Sequence, residues 1–211
     1  MSIKVTDNRV FKLYTKDTSY IFAVGEGNML LHQYYGGYVS DDDLSYYAKY
    51  QRHGGVCPKP AFPTADYFST DVNRMEYSVN GTGDYRVSAL QIKDNDGHAS
   101  TDIRYVGHKI YPGKPVIPGM PATYATEEEA DTLEIDAIDA HTGALVTLFY
   151  TVFKNHSAIT RHVRVKNTYD KSFDIERIYS ACVDFYAENF ELLHIYGMWG
   201  KERIVERNKL N

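Results

Sequence analysis

Three consecutive β-strand patterns between residues 131 and 167 limit what this chain can fold into. Residues 132–137 alternate apolar and polar side chains, and residues 159–165 do the same. Between them, residues 144–153 are apolar at nearly every position. Because a strand that is apolar on both faces must be covered from both sides, this segment predicts an inner strand of a large layered sheet assembly.

The rest of the chain continues the β pattern. Short strand-like runs separated by Gly, Asp and Asn turns predict antiparallel hairpins, and we find no amphipathic helix of the usual length. The proline-rich residues 111–121 favour an extended crossover between sheets over a strand. The sequence therefore predicts an all-β fold, a large antiparallel β-sandwich of many short strands joined by hairpins and long loops, in one domain over residues 1–211. The other strands are predicted at residues 9–14, 19–24, 29–35, 87–93, 173–185 and 192–196.

Charge and composition exclude several classes of protein. The net charge is −5 and the basic residues are interleaved with acidic ones, so we expect no nucleic-acid partner. The chain has no apolar run of about 18 residues and no signal-like N-terminus, so we expect no membrane partner. Two cysteines, Cys57 and Cys182, without metal-ligand spacing favour reduced thiols in a cytoplasmic protein, with a single disulfide as the alternative.

Motifs for catalysis or metal binding are not visible. The histidines have no spacing typical of metal ligands, and no nucleophile or phosphate-binding motif occurs, so we expect no metal and no cofactor. Residues 94–97, Asp-Asn-Asp-Gly, lack the later ligands of a calcium loop and predict a simple turn. Asp174, Glu176 and Asp184 are predicted to share the solvated face of one strand. The residues alone thus indicate a non-catalytic β domain.

A long segment, residues 40–71, interrupts the strands and is rich in tyrosine and proline. Loops of this length in a compact domain are uncommon and often functional. The 19 tyrosines of the chain are explained by β-sheet preference or, alternatively, by a sugar-binding or subunit surface. Both interpretations stay open at this point.

Five segments in chain order carry a resemblance to a known family. They are Leu31-His32-Gln33-Tyr34-Tyr35-Gly36, residues 75–90, residues 113–115 with 119–124, residues 132–153, and Tyr196-Gly197-Met198-Trp199-Gly200-Lys201-Glu202-Arg203. Together they resemble the N-terminal domain of the family-36 glycoside hydrolases, the bacterial α-galactosidases. Ser78 stands where that family usually has proline.

The resemblance implies a particular architecture and activity. Such enzymes have an N-terminal β-supersandwich, a central (β/α)₈ barrel that carries both catalytic aspartates of a retaining mechanism, and a C-terminal β-sandwich. They hydrolyse terminal α-galactosides such as melibiose and raffinose. We therefore expect this chain to be the N-terminal part of a larger enzyme, to contain no catalytic residue and to be inactive alone. Its expected partners are α-galactosides through the full enzyme, its own barrel and further copies in a homo-oligomer.

The resemblance also suggests roles for individual residues. Asp84 and Arg86 lie two apart on an extended segment and are predicted to pair with each other or with Glu76, which would hold the long loop against the sheet. Trp199 and Arg203 are predicted to meet the barrel. A wall of a neighbouring subunit's substrate pocket is predicted from Asp42, Asp43, Tyr46, Tyr47, Tyr50 and Phe62.

Two other interpretations remain at this stage. One is a free-standing carbohydrate-binding β-sandwich whose tyrosines bind sugar directly. The other is a related family with a similar supersandwich that acts on maltose or trehalose by phosphorolysis. A downstream barrel with two catalytic aspartates is required by an α-galactosidase but not by a free-standing module.

Overall fold

The computed structural model describes residues 2–6, 9–41, 69–184 and 189–210. These residues form twelve strands and one short 3₁₀ turn at Glu26–Asn28. No described helix has the length and apolar character needed to cross a membrane. The strands are β1 (Ile3–Val5), β2 (Val10–Tyr14), β3 (Thr18–Val24), β4 (Leu30–Gly37), β5 (Leu90–Asp94), β6 (Ile103–Pro112), β7 (Ala130–Asp139), β8 (Ala144–Phe153), β9 (Ile159–Asn167), β10 (Phe173–Ile178), β11 (Glu191–Met198) and β12 (Lys201–Lys209).

Two antiparallel four-stranded sheets form the body of the fold. The first has the strand order β1-β2-β3-β4 and the second the order β6-β7-β8-β9. Each follows chain order, and short turns join most neighbouring strands, as between Asp139 and Ala144, whereas residues 113–129 join β6 to β7. Strands β7, β8 and β9 confirm the three strands predicted from residues 132–165, and β8 is buried along almost its whole length.

The main core lies between these two sheets. Phe11 and Phe22 of the first sheet stack at a ring separation of 4.9 Å, and Phe22 stacks on Tyr150 of the second sheet at 5.1 Å. Leu133 and Leu148 complete the opposite side of the same apolar cluster. Each fully buried side chain of this kind contributes about 1.5–3 kcal/mol. The predicted large β-sandwich is confirmed, and β8 is apolar at nearly every position because it is an inner strand of the second sheet and is buried along most of its length.

Two smaller sheets extend the sandwich. Strand β10 pairs with β5, and β5 adds Leu90 and Ile92 to the main core. Strands β11 and β12 form a separate antiparallel hairpin that is exposed along nearly its whole length. Only the first of these sheets is built into the core.

Several strand boundaries differ from the sequence prediction. Residues 111 and 112, predicted to belong to a crossover, are instead the end of β6. This strand lies at the edge of its sheet, where Pro112 is tolerated because no further strand needs its backbone N–H. The strand predicted at residues 173–185 ends at Ile178, so Asp184 does not share a strand face with Asp174 and Glu176. Residues 192–196 are not the last strand, because β12 follows. Strand β1 was not predicted, and β5 begins later than residue 87.

Candidate functional site

Glu76 lies at the centre of the molecule, on an extended segment that runs beside β4. Its backbone N–H donates to the Leu30 carbonyl at 3.0 Å, and the His32 N–H donates to the Arg74 carbonyl at 2.9 Å. These bonds fix the segment against the first sheet. The Glu76 side chain is 0% exposed.

Four side chains surround the Glu76 carboxylate. The Tyr20 hydroxyl lies 2.6 Å from Oε1, the Tyr150 hydroxyl donates to Oε1 at 2.8 Å, and His32 Nδ1 lies 3.0 Å from Oε2. Arg161 Nη2 lies 3.0 Å from Oε1, and the Arg161 guanidinium is 4.6 Å from the Tyr150 ring centroid. We call these five residues the Glu76 cluster. It connects β3 and β4 of one sheet to β8 and β9 of the other.

Electrostatics in the Glu76 cluster favour the ionised carboxylate. Burial alone would raise the pKa of Glu76, but the Arg161 charge and the hydrogen bonds from His32 and Tyr20 outweigh it and hold the pKa below its usual value. Burial beside the same carboxylate raises the pKa of both Tyr20 and Tyr150 well above the usual range. Glu76 is therefore a buried, fully partnered anion. Because it has no exposed surface, its role is to join the two sheets and not to act on a substrate.

A second ionic contact holds the segment that follows residue 68. Arg86 Nε lies 2.7 Å from Asp84 Oδ1, and Arg86 Nη2 lies 3.0 Å from Asp84 Oδ2. The same Nη2 donates to the Asn73 carbonyl at 2.7 Å, and Nη1 contacts the Asp184 carboxylate. The structure thus pairs Asp84 with Arg86, the first of the two predicted arrangements, whereas Glu76 pairs with Arg161.

The other side of the long segment is held at Asp41. Its carboxylate lies 2.6 Å from Lys4 Nζ, 3.3 Å from Lys12 Nζ and 3.2 Å from the Tyr14 hydroxyl. The hydrogen bond from Lys4 lowers the pKa of Asp41, so this carboxylate stays ionised as a bridge to β1 and β2. Asp41 and Arg86 therefore fix the chain on both sides of residues 42–68.

Trp199 and Arg203 lie on the exposed β11–β12 hairpin. Trp199 sits in its turn and is 97% exposed. Arg203 is also exposed and has a positive φ of 61°, which is uncommon for a residue other than glycine. Apolar side chains cover both faces of the hairpin, among them Leu192, Leu193, Ile195, Met198 and Val205. An apolar surface of this kind marks an interaction site.

The remaining predicted site residues, Asp42, Asp43, Tyr46, Tyr47, Tyr50 and Phe62, lie outside the described residues. Sequence reasoning missed Tyr20, His32, Tyr150 and Arg161, which come from four separate strands and have no shared spacing. No local signal marks Arg161 either, because strand β9 also carries Arg164 and Lys166. Among the described residues, Asp94, His98 and His141 also bring three possible metal-ligand atoms within 4.8 Å of one another.

Comparison with known proteins gives one consistent family. The glycosyl hydrolase family 36 N-terminal domain matches residues 28–211. The bifunctional α-galactosidase/sucrose kinase AgaSK of Mediterraneibacter gnavus is 37% identical over 97% of this chain and 22% of that protein.

Solved structures agree with this result. The crystal structure of the α-galactosidase AgaB from Geobacillus stearothermophilus superposes with a TM-score of 0.90 at 35% identity, covering 100% of this chain and 29% of that one. A variant of AgaA from the same organism, solved in complex with raffinose, gives a TM-score of 0.86 at 35% identity, covering 96% and 28%. The chain thus spans between a fifth and a third of the length of these relatives.

Proposed function

This chain belongs to the N-terminal domains of glycosyl hydrolase family 36, and we propose that it serves an α-galactosidase as the domain that packs on the catalytic part and shapes its substrate pocket. The longer enzyme would hydrolyse terminal α-galactosides such as melibiose and raffinose by a retaining mechanism. Both catalytic aspartates would lie in the barrel, so the described residues supply structure and not the chemical step.

The exposed β11–β12 hairpin is the observation that carries the proposal. A two-stranded hairpin is at most marginally stable in water by itself, and this one exposes a tryptophan together with leucine, isoleucine and methionine side chains. This chain covers only 22–29% of the similar proteins, so in a longer enzyme the apolar hairpin would be covered by the following domain. Trp199 would be the central anchor of that contact, because a buried aromatic side chain contributes most to an interface.

Truncating Trp199 in the full-length enzyme tests this role. We expect Trp199→Ala to lower the temperature of irreversible inactivation and to reduce kcat/KM on melibiose at least several-fold, because the contact between the domains loses its largest apolar side chain. Val106→Ala, at another exposed apolar side chain on β6, is the matched control and is expected to leave both unchanged. Trp199→Ala kinetics and inactivation equal to wild type would contradict the proposal.

We place the wall of the substrate pocket in the segment between the two anchors. Asp41 and Arg86 tie the chain to the sandwich on either side of it, so the residues between them emerge from fixed positions. Tyr46, Tyr47, Tyr50 and Phe62 supply aromatic faces for a sugar ring, and Asp42 and Asp43 supply acceptors for its hydroxyl groups. In a cytoplasmic homo-oligomer, this wall would serve a neighbouring subunit's pocket.

Kinetics with two substrates test the wall. We expect Tyr46→Ala and Phe62→Ala in the full-length enzyme to raise KM for raffinose more than KM for melibiose, because raffinose has one more sugar ring to contact the wall. Tyr124→Ala, at a 90% exposed tyrosine on the described surface, is the aromatic control. Unchanged kinetics of Tyr46→Ala and Phe62→Ala on both sugars would rule the wall out. Sedimentation velocity of the same full-length enzyme tests whether it forms a homo-oligomer.

A further inference from the structure

Two turns from different sheets meet at one carboxylate oxygen. The turn after β5 brings His98 Nδ1 to 3.1 Å from Asp94 Oδ2, and the β7–β8 turn brings His141 Nε2 to 2.9 Å from the same oxygen. Both imidazole side chains are 67% exposed, whereas the Asp94 side chain is 14% exposed. The cluster is therefore open to solvent on the histidine side and fixed on the carboxylate side.

Hydrogen bonds between carboxylates and backbone N–H groups fix Asp94 and the backbone of both turns. Asp94 Oδ1 accepts the N–H of Asp96 at 3.0 Å and of His98 at 2.8 Å, which leaves Oδ2 to face the histidines. The His141 N–H donates to Oδ1 of buried Asp139 at 2.9 Å. The first turn closes with Gly97 at a φ of +87°, a conformation that favours glycine. The fold therefore fixes the carboxylate and the points from which both histidine side chains extend.

The spacing of Asp94 Oδ2 from each histidine nitrogen is close to that of two ligands on a tetrahedral metal. Two ligands bound at about 2.0–2.1 Å to a tetrahedral zinc ion lie about 3.3 Å apart. The oxygen-to-nitrogen separations here are 3.1 and 2.9 Å, and all three atoms lie within 4.8 Å of one another. Small rotations of the two exposed imidazole side chains would place all three atoms on one ion.

The donor set selects the class of metal. Two imidazole nitrogens and one carboxylate oxygen suit zinc and its neighbours among the divalent transition metals, whereas calcium and magnesium take oxygen ligands. Three protein ligands leave a fourth position for water. Asp94 and His141 line a cavity of about 270 Å³, which has room for that water beside Asp96, Thr142 and Lys171.

We propose that Asp94, His98 and His141 bind one zinc-class divalent cation that ties the turn after β5 to the β7–β8 turn. Each metal bond replaces an N–H that now points at Asp94, so each imidazole carries its proton on its other nitrogen when the ion is bound. The ion links the small β5–β10 sheet to the main sandwich. This role does not depend on galactoside hydrolysis, so a failure of the proposed function would leave it unaffected.

Calorimetric titration of the EDTA-treated chain with zinc chloride tests the site. We expect one ion per chain, with affinity weakened at least tenfold by His98→Ala, by His141→Ala and by Asp94→Asn. Asp94→Asn keeps an oxygen that accepts the backbone bonds of the turn but removes the charged ligand. His156→Ala, at an exposed histidine on the β8–β9 turn, is the matched control and is expected to bind as wild type does.

Two further readouts separate a true site from nonspecific surface binding. Saturating zinc is expected to raise the melting temperature of the wild type and of His156→Ala, but not of the His98 and His141 variants. Cobalt in place of zinc is expected to give the strong visible absorption of a tetrahedral complex. Circular dichroism verifies that each variant is folded. Binding that is absent, or equal in all variants, overturns the proposal.

Discussion

The Glu76 cluster and the β11–β12 hairpin are opposite kinds of surface within one chain. In the cluster, both oxygens of a buried carboxylate have partners, and together these partners come from both sheets. In the hairpin, apolar side chains on both faces face solvent. The difference teaches that the cluster is satisfied within the domain itself, whereas of these two regions the hairpin is the one that offers apolar side chains to a neighbour.

The largest expected effect is at Glu76. Glu76→Ala leaves the Arg161 charge buried without its anion and removes the acceptor of two tyrosine hydroxyls, so we expect the free energy of unfolding of the chain to fall by about 3–5 kcal/mol. Urea unfolding followed by circular dichroism measures this. The exposed Glu202→Ala is the control, with an expected change within about 0.5 kcal/mol. Equal losses in the two variants would show that the cluster does not hold the sheets together.

A smaller loss is expected at Arg86. Arg86→Ala removes the contacts to Asp84 and Asp184 and leaves the Asp84 carboxylate, 2% exposed, without its ion-pair partner. Because the Arg86 side chain is itself 28% exposed, water replaces part of what is lost, and we expect a cost of about 1–3 kcal/mol. Arg207→Ala, at a surface ion pair with Glu191, is expected to cost less than about 1 kcal/mol by the same urea measurement. A cost at Arg86 no greater than at Arg207 would contradict the anchoring role.

A pH-dependent effect should distinguish the cluster from the exposed carboxylates. The folded-state pKa of Glu76 lies below its unfolded value of about 4.3, so in this pH range the folded state binds fewer protons than the unfolded state. Its contribution to stability is therefore complete above the unfolded pKa and is lost as pH falls through the folded pKa. We expect urea unfolding between pH 7 and pH 3 to show a flatter dependence for Glu76→Gln than for wild type. The control Glu202→Gln should keep the wild-type pH dependence of the free energy of unfolding. The same dependence in Glu76→Gln would refute the lowered pKa of Glu76.

The sequence predicted strands β7 to β9 well and strands β1, β6 and β12 poorly. Strands β7 to β9 were predictable because burial on one or both faces imposes a strict apolar period. Strand β12 has charged residues on both faces because it is exposed on both, so no period marks it. Strand β1 has three residues, too few for a pattern, and β6 is an edge strand whose outer face is free to vary.

The candidate sites show the same limit at the level of single residues. Asp84 and Arg86 were predictable as a pair because they are two apart on one extended segment. Arg161 and Glu76 were not, since sheet packing alone brings them together across a long stretch of chain. The histidines His98 and His141 belong to turns of different sheets and show no ligand spacing in the sequence. Contacts set by topology are invisible to a reading of local spacing.

The most direct test of the contrast between these regions is the free energy of unfolding of Trp199→Ala, measured by urea in this chain alone and in the full-length enzyme. In the chain alone Trp199 is 97% exposed, so we predict a change within about 0.5 kcal/mol. In the full-length enzyme we predict a loss of about 2 kcal/mol or more for the unfolding of this domain, because the tryptophan is then an interface anchor. A large loss in the chain alone, or none in the full-length enzyme, would contradict the account.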